Sequence, residues 1–105
     1  MAKRTKRELE GDVLLAERTK LQEPPRYRVI LHNDDVTTMN FVVQILCLIF
    51  HKSVEEATKI MMLVHTQGRG VCGVFPLEIA ESKVHAVRSQ AILAGFPLKC
   101  TMEKE

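Results

Sequence analysis

A cluster of polar side chains lies at residues 32–39, in the sequence HNDDVTTM. Alternate side chains of an extended segment share a face. Asn33 and Asp35 are therefore predicted to point together, whereas His32 and Asp34 point the other way, toward solvent. A carboxylate and an amide oxygen can together hold an ammonium group, which only donates hydrogen bonds. The pattern fits either an ordinary turn or one side of a site for such a cation.

An imidazole from another part of the chain could complete such a site. His65 follows an apolar stripe that includes Met61 and Val64 at helical spacing. If this helix packs beside the helix that follows the polar cluster, a neutral His65 nitrogen supplies a third acceptor. Met39, Val42, Met61 and Val64 would then form apolar walls beside the polar groups, as in a small-ligand pocket. The same residues also fit a helix-end histidine and a plain helical core.

A metal site or a catalytic site is less favoured by the same residues. The candidate metal ligands are His32, Asp34, Asp35 and His65. Strand geometry separates His32 from Asp35, and no close ligand spacing such as HExxH occurs. A hydrolase needs a nucleophile with a base and an oxyanion hole. The sequence contains no serine motif of the kind that supplies such a nucleophile. We therefore expect neither a metal nor another cofactor, and no enzymatic activity.

The composition describes one small domain without strong charge. The chain has 105 residues, 46% of them hydrophobic, and a domain of this size buries about 60–65% of its unfolded surface. A net charge of +2, one Tyr and no Trp give no basis for nucleic-acid binding. The three cysteines are Cys47, Cys72 and Cys100. Their odd number and wide spacing argue against disulfides and zinc, so we expect small buried side chains in a reducing compartment.

Residues 1–25 form a charge-rich segment with both signs mixed. The sequence Glu23-Pro24-Pro25 disfavours a helix there, and we expect a flexible extension before a folded domain of residues 26–105. The segment lacks the apolar stretch of a secretory signal. The longest apolar run, Ile45–Phe50, is too short to span a bilayer. We therefore expect a cytoplasmic protein without a membrane partner.

Six elements are predicted to position the polar cluster. The strands are Tyr27–His32, Val71–Phe75 (with a bulge or close approach at Gly73) and Leu98–Glu103. One helix covers Met39–Phe50, with Thr37 or Thr38 as its N-cap, and the next opens with a capping box of Ser53 and Glu56. A third helix contains Pro76 in its first turn and ends at Gly95. This order, βααβαβ, predicts an α+β two-layer sandwich, in which a three-stranded antiparallel sheet packs against three helices.

Several segments resemble the ClpS adaptors of the bacterial N-end rule pathway. They are YRVILHNDDVTTMNFVV, HKSVEEATKIMMLVHTQGRGVCGVF, EIAESKV and PLKCTMEKE. The resemblance covers Arg26 to Glu105 and implies a fold like that of the C-terminal domain of ribosomal protein L7/L12. It implies a noncatalytic, monomeric adaptor that binds proteins with an N-terminal Leu, Phe, Tyr or Trp. Such an adaptor delivers these N-degron substrates to the AAA+ unfoldase ClpA, which feeds the ClpP peptidase.

The resemblance also implies roles for individual residues. Asn33, Asp35 and His65 match the positions that contact the free α-amino group. The hydrophobic pocket matches Leu31, Thr37, Met39, Val42, Met61, Val64 and Leu98, with Met39 as the gate against β-branched side chains. Glu78 and Lys83 match the surface that docks on the N-terminal domain of the unfoldase. Residues 1–25 correspond to the extension that acts on the unfoldase.

Two residues of the polar cluster depart from the family pattern. Val36 stands where the family often has an aromatic residue, and Thr38 where it often has proline. This resembles the second ClpS copy of some α-proteobacteria and implies an altered preference among N-terminal residues. An alternative hypothesis is an interaction module of L7/L12-like fold that ignores peptide N-termini.

Overall fold

Three strands and three helices follow one another in the order βααβαβ in the computed structural model, which describes residues 23–105. The strands are β1 (Arg26–His32), β2 (Arg69–Pro76) and β3 (Lys99–Lys104), and the helices are α1 (Met39–Leu48), α2 (Val54–Gln67) and α3 (Leu77–Ala94). The predicted element order and the α+β class are confirmed. Residues 1–22, most of the predicted N-terminal extension, lie outside the described residues.

The sheet has the strand order β2-β1-β3, and both pairings are antiparallel. The register with β2 shifts between Val29, which pairs with Gly73, and Ile30, which pairs with Val71. This shift confirms the bulge predicted near Gly73. A Cβ atom at Gly73 would lie 2.7 Å from the ring of Phe75, so any other residue would require that ring to move.

The hydrophobic core lies between one face of the sheet and the three helices. Its buried members come from every element and from the connections: Val29, Leu31, Val42, Ile45, Leu46, Phe50, Ala57, Met61, Val64, Cys72, Ala80, Val84, Val87, Ala91, Leu98 and Cys100. Burial raises the pKa of the Cys72 and Cys100 thiols to about 12. These two thiols therefore stay protonated at neutral pH, as expected of buried apolar side chains.

The ends of the helices are fixed by side chains that the sequence marks out. Thr38 caps α1, accepting a 3.1 Å hydrogen bond from the Phe41 amide, and Ser53 caps α2 through the Glu56 amide at 3.1 Å. The second cap is the first half of the predicted capping box. Gly68 ends α2 in the left-handed conformation, with φ of 89°, which costs glycine little.

Several predicted boundaries differ from the structure. Helix α1 ends at Leu48 rather than Phe50, because the chain turns through His51, which has a φ of 55°. Strand β2 begins at Arg69 rather than Val71, since Arg69 and Gly70 still pair with β1. Pro76 ends β2 and lies at the N-cap of α3 rather than inside its first turn. None of these differences moves the polar cluster from the end of β1.

Candidate functional site

A cavity of about 440 Å³ lies where the loop after β1 meets the start of α1 and the last turns of α2. Its lining consists of Asn33, Asp34, Asp35, Val36, Thr37, Thr38, Met39, Val42, Met61, Val64 and His65. Most of the polar cluster therefore borders the same space as His65. The sequence separates these two groups by about thirty residues, and the packing of α1 against α2 brings them together.

The loop is held in shape by the carboxylate of Asp34. One oxygen accepts hydrogen bonds from the amides of Val36 (2.8 Å) and Thr37 (2.6 Å). The other oxygen accepts a 2.6 Å hydrogen bond from the Thr37 hydroxyl. Burial opposes ionisation of this carboxyl, but the hydrogen bonds outweigh it and lower the pKa of Asp34. The prediction that Asp34 points to solvent is therefore wrong. Its half-buried side chain organises the turn, whereas Asn33 and Asp35 on either side of it are exposed.

Backbone contact joins this loop to the helix that carries His65. The amide of Asn33 donates a 2.9 Å hydrogen bond to the carbonyl of Gly68, the residue that ends α2. His65 lies in the last turn of α2. Asn33, Asp35 and His65 are all exposed at the mouth of the cavity. One cavity is therefore lined by a carboxylate, an amide and an imidazole, groups that can each accept a hydrogen bond from an ammonium.

Apolar side chains form the inner wall of the cavity. Val42, Met61 and Val64 are buried members of the core and line the cavity from α1 and α2. Met39, the first residue of α1, lies at the rim with 44% of its surface exposed. An unbranched, flexible methionine at this position can change rotamer to suit a ligand. Polar groups at the mouth and apolar groups behind them match the usual organisation of a ligand pocket.

The two threonines of the cluster have different tasks. Thr38 caps α1, whereas Thr37 donates to Asp34, and both line the cavity. Val36, where an aromatic residue is common among the proteins this sequence resembles, lines the cavity with 61% of its surface exposed. The two departures from the family pattern, Val36 and Thr38, therefore both border the candidate site.

Four of the residues matched to the family lie away from the cavity lining. Leu31 and Leu98 are buried in the core. Glu78 is exposed in the first turn of α3. Lys83 is half-buried, and its ammonium donates a 2.5 Å hydrogen bond to the carbonyl of Ile49 at the end of α1.

Two features near the cavity were not anticipated. The pKa of His32 is lowered, first by burial and then by the charges of Lys99 and Arg69. Its ring nitrogen Nε2 lies 2.7 Å from the hydroxyl of Thr101, on the far side of β1 from the core. The role of Asp34 was also missed, although an aspartate after a strand is a known signal for a turn in which its side chain accepts the backbone amide two residues on.

Two properties of residues 23–105 bear on the kind of site. Among them, no group of three or more His, Cys, Asp or Glu side chains is arranged to hold a metal ion. In the same residues, no helix is long and apolar enough to cross a membrane.

Comparison with known proteins identifies the family. The family of the ATP-dependent Clp protease adaptor protein ClpS matches residues 22–101. The adapter protein ClpS of Desulfatibacillum aliphaticivorans is 54% identical over 95 residues, covering 90% of this chain and 91% of that protein. The corresponding protein of Desulforapulum autotrophicum is 60% identical over 82 residues, covering 78% and 79%.

A solved structure shows the same fold. Agrobacterium tumefaciens ClpS2, bound to L-phenylalaninamide, superposes with a TM-score of 0.77 at 37% identity and covers 79% of this chain and 100% of its own. This similarity agrees with the resemblance of the polar cluster to a second-copy ClpS. The chain belongs to the ClpS family of adaptor proteins of the ATP-dependent Clp protease.

Proposed function

We propose that this adaptor binds the free α-amino group and the bulky hydrophobic side chain of an N-terminal Leu, Phe, Tyr or Trp. It then delivers the bound protein to the ClpA unfoldase in the cytoplasm, without catalysing a reaction itself. The observation that carries the proposal is a single cavity with Asn33, Asp35 and His65 at its mouth and apolar side chains behind them.

The polar groups match the chemistry of an N-terminal ammonium. An α-amino group has a pKa of roughly 7.7–8.0 and is mostly charged at neutral pH. Its three N–H donors need three acceptors, and each donor left unpaired in a desolvated site costs about 1–3 kcal/mol. Asn33, Asp35 and His65 supply one acceptor each. An acetylated N-terminus has neither the charge nor the three donors, so the site should reject it.

The apolar wall matches the first side chain of the substrate. Burying a Leu or Phe side chain contributes roughly 1.5–3 kcal/mol, and Val42, Met61 and Val64 offer the surface for it. Met39 at the rim serves as the gate, because a branched Cβ is rigid and cannot move aside from it. The ligand of the A. tumefaciens neighbour, L-phenylalaninamide, combines an aromatic side chain with a free α-amino group, which supports this assignment.

Leu31 and Leu98 are proposed to support the residues that form the pocket wall. Both are buried in the same core as Val42, Met61 and Val64. In this proposal they support the wall residues and are not in contact with the substrate. The proposed pocket thus has a contact layer and a supporting layer.

The surface that docks on the unfoldase is proposed to lie on α3. Glu78 is exposed in the first turn of this helix and is free to pair with a cation of the partner. Lys83 already donates one hydrogen bond to Ile49. An ammonium has three donors, so Lys83 retains two for a docking partner. In the proposed function, residues 1–25 act on the unfoldase as an extension of the 26–105 domain.

The deciding experiment compares peptide binding before and after the N-terminus is blocked. A fluorescent peptide that begins with Phe should bind, and its N-acetylated form should bind at least about tenfold more weakly, because a loss of 1.4 kcal/mol is tenfold. A peptide that begins with Ser controls for binding of the peptide body. Equal binding of all three peptides would overturn the proposal and favour an interaction module that ignores N-termini.

A further inference from the structure

The face of the sheet opposite the helices carries an excess of positive charge. We call it the outer sheet face. It is formed by alternate residues of the three strands, which point away from the core. Its central members are Arg28, Ile30, Arg69, Val71, Lys99 and Glu103. This set contains three cations and one carboxylate.

The single carboxylate is shared between two arginines. Glu103 lies 3.0 Å from the Arg69 guanidinium and 3.8 Å from that of Arg28. Arg69 is on β2 and Glu103 is on β3, so their ion pair spans the central strand β1. Beneath it lies Ile30, which is only 1% exposed although the helices pack on the other face. Val71, beside Ile30 in the register, is 43% exposed. The outer sheet face therefore combines an excess of cations with accessible apolar surface.

The surroundings of His32 show where this positive charge is concentrated. His32 pairs with Arg69 on one side and with Lys99 on the other. After burial, the charges of Lys99 and Arg69 are the main reasons why the pKa of His32 is lowered, and the opposing effect of Glu103 is smaller than either. An anion placed here would be attracted to a positive field that the neighbouring residues of the folded domain, among residues 23–105, leave partly unneutralised.

The chain contains one segment with the complementary chemistry. Residues 8–17, ELEGDVLLAE, carry four carboxylates and no cation, with the apolar run Val13–Ala16 next to them. Residues 18–25 connect this segment to the first residue of β1. Eight residues can span about 26–29 Å when extended, whereas the seven residues of β1 rise about 23 Å. The connection is long enough for the segment to reach any part of the outer sheet face.

We propose that the outer sheet face is an intramolecular docking surface for residues 8–17 of the same chain. The carboxylates of the segment pair with the unneutralised cations around Lys99, and its apolar run covers Val71. The contact holds the N-terminal extension against the folded domain until a partner competes for either surface. The cavity at the end of α2 takes no part, so this proposal does not depend on the proposed function.

The test uses the full chain and records backbone amide chemical shifts. The double variant Glu10→Lys/Asp12→Lys should shift the amides of Ile30, Val71 and Thr101, because it expels the segment from the face. The matched control Glu55→Lys/Glu56→Lys reverses two exposed carboxylates at the start of α2 and should leave those three amides unmoved. Shift changes confined to residues 1–25 in the first variant would overturn the proposal.

Two further measurements separate docking from a general charge effect. Raising the salt to 1 M, where the Debye length is about 3 Å, should move the same three amides of the wild-type chain in the direction seen for the variant. Lys99→Glu should do so at low salt, and adding Glu10→Lys/Asp12→Lys to it should restore the wild-type shifts. Failure of this charge exchange, or shifts that depend on protein concentration, would overturn an intramolecular contact.

Discussion

The hydroxyl of Thr37 donates a 2.6 Å hydrogen bond to the carboxylate of Asp34, three residues earlier in the same loop. Together with the two amides that Asp34 also accepts, this bond closes the turn between β1 and α1. The closed turn sets the positions of Asn33 and Asp35, which flank Asp34 and line the cavity. Under the proposed function, the placement of the two acceptors from this loop therefore depends on a hydrogen bond made within the loop itself.

Thr37→Val should weaken binding of a peptide that begins with Phe by about threefold to tenfold. The substitution keeps the shape and the methyl group of the side chain but removes the donor, and a hydrogen bond to a charged group contributes about 1.5–3 kcal/mol before exposure reduces it. Thr37→Ser keeps the hydroxyl and is the matched control, with near wild-type affinity expected. Fluorescence anisotropy of a labelled peptide measures both. If Thr37→Ser were the weaker binder, the methyl group and not the hydrogen bond would be what matters.

The same turn should give a defined pH dependence of stability. The folded pKa of Asp34 is lowered from 3.8, so the folded state favours the carboxylate. Its contribution is fully present above 3.8 and is lost as the pH falls from there through the lower folded value. Asp34→Asn should therefore be less stable than the wild type at pH 7, and the difference should shrink below pH 3.8. Urea unfolding of both proteins at a series of pH values measures it. A difference that does not change with pH would mean that the charge of Asp34 contributes nothing.

Asp35 should matter for the ligand and not for the fold. Its exposed carboxylate lines the mouth of the cavity, and loss of a charge-assisted hydrogen bond to an ammonium costs about 1.5–3 kcal/mol. Asp35→Ala should therefore weaken binding of a free Phe peptide by roughly 10- to 100-fold. The free energy of unfolding should stay within about 0.5 kcal/mol of the wild-type value, as for most surface substitutions. Unchanged peptide affinity would remove Asp35 from the site.

The sequence predicts the fold and much of the cavity because both follow local patterns. Helical spacing in Met61, Val64 and His65 identified the wall that α2 contributes. Strict alternation, by contrast, separated Asp34 from its neighbours Asn33 and Asp35, although all three line the cavity. The use of each polar group was harder to predict, because it depends on contacts that form only in the folded chain. Either threonine could have capped α1 from sequence, and only the fold assigns that task to Thr38 and gives Thr37 to Asp34.

Lys83 makes a contact with a residue distant in sequence, which local patterns also could not predict. The family resemblance marks it as a surface residue for docking, but its ammonium lies at the end of α1, 34 residues away in sequence. It also lies 6.0 Å from the ring centre of Phe50 and 5.8 Å from that of Phe75. A cation at the carbonyl end of a helix stabilises that end, and no pattern within α3 could have predicted the contact.

Replacing Lys83 should therefore lower stability as well as docking. Lys83→Met keeps most of the side-chain volume but loses the hydrogen bond and the charge, and should reduce the free energy of unfolding by about 1–2 kcal/mol. For a domain of this size each 1 kcal/mol lowers Tm by roughly 4–8 °C. Glu78→Gln is the comparison variant, since Glu78 is exposed on the same helix and should affect docking with little change in Tm. Equal Tm values for the two variants would show that Lys83 does not hold α1 in place.

His51 offers a way to stabilise the protein without touching the cavity. It has a φ of 55° in the turn between α1 and α2, is exposed, and is the one non-glycine residue with positive φ among residues 23–105. The left-handed conformation costs an L-residue roughly 1–2 kcal/mol. Glycine avoids this cost, but its greater freedom in the unfolded chain lowers the free energy of unfolding by about 0.5–1 kcal/mol. His51→Gly should therefore raise the free energy of unfolding by about 0.5–1 kcal/mol, seen as a higher urea midpoint with an unchanged m-value. His51→Ala removes the imidazole and keeps the Cβ, so its midpoint should not rise. A rise for alanine equal to that for glycine would mean that the imidazole, and not the backbone conformation, is the source of the cost.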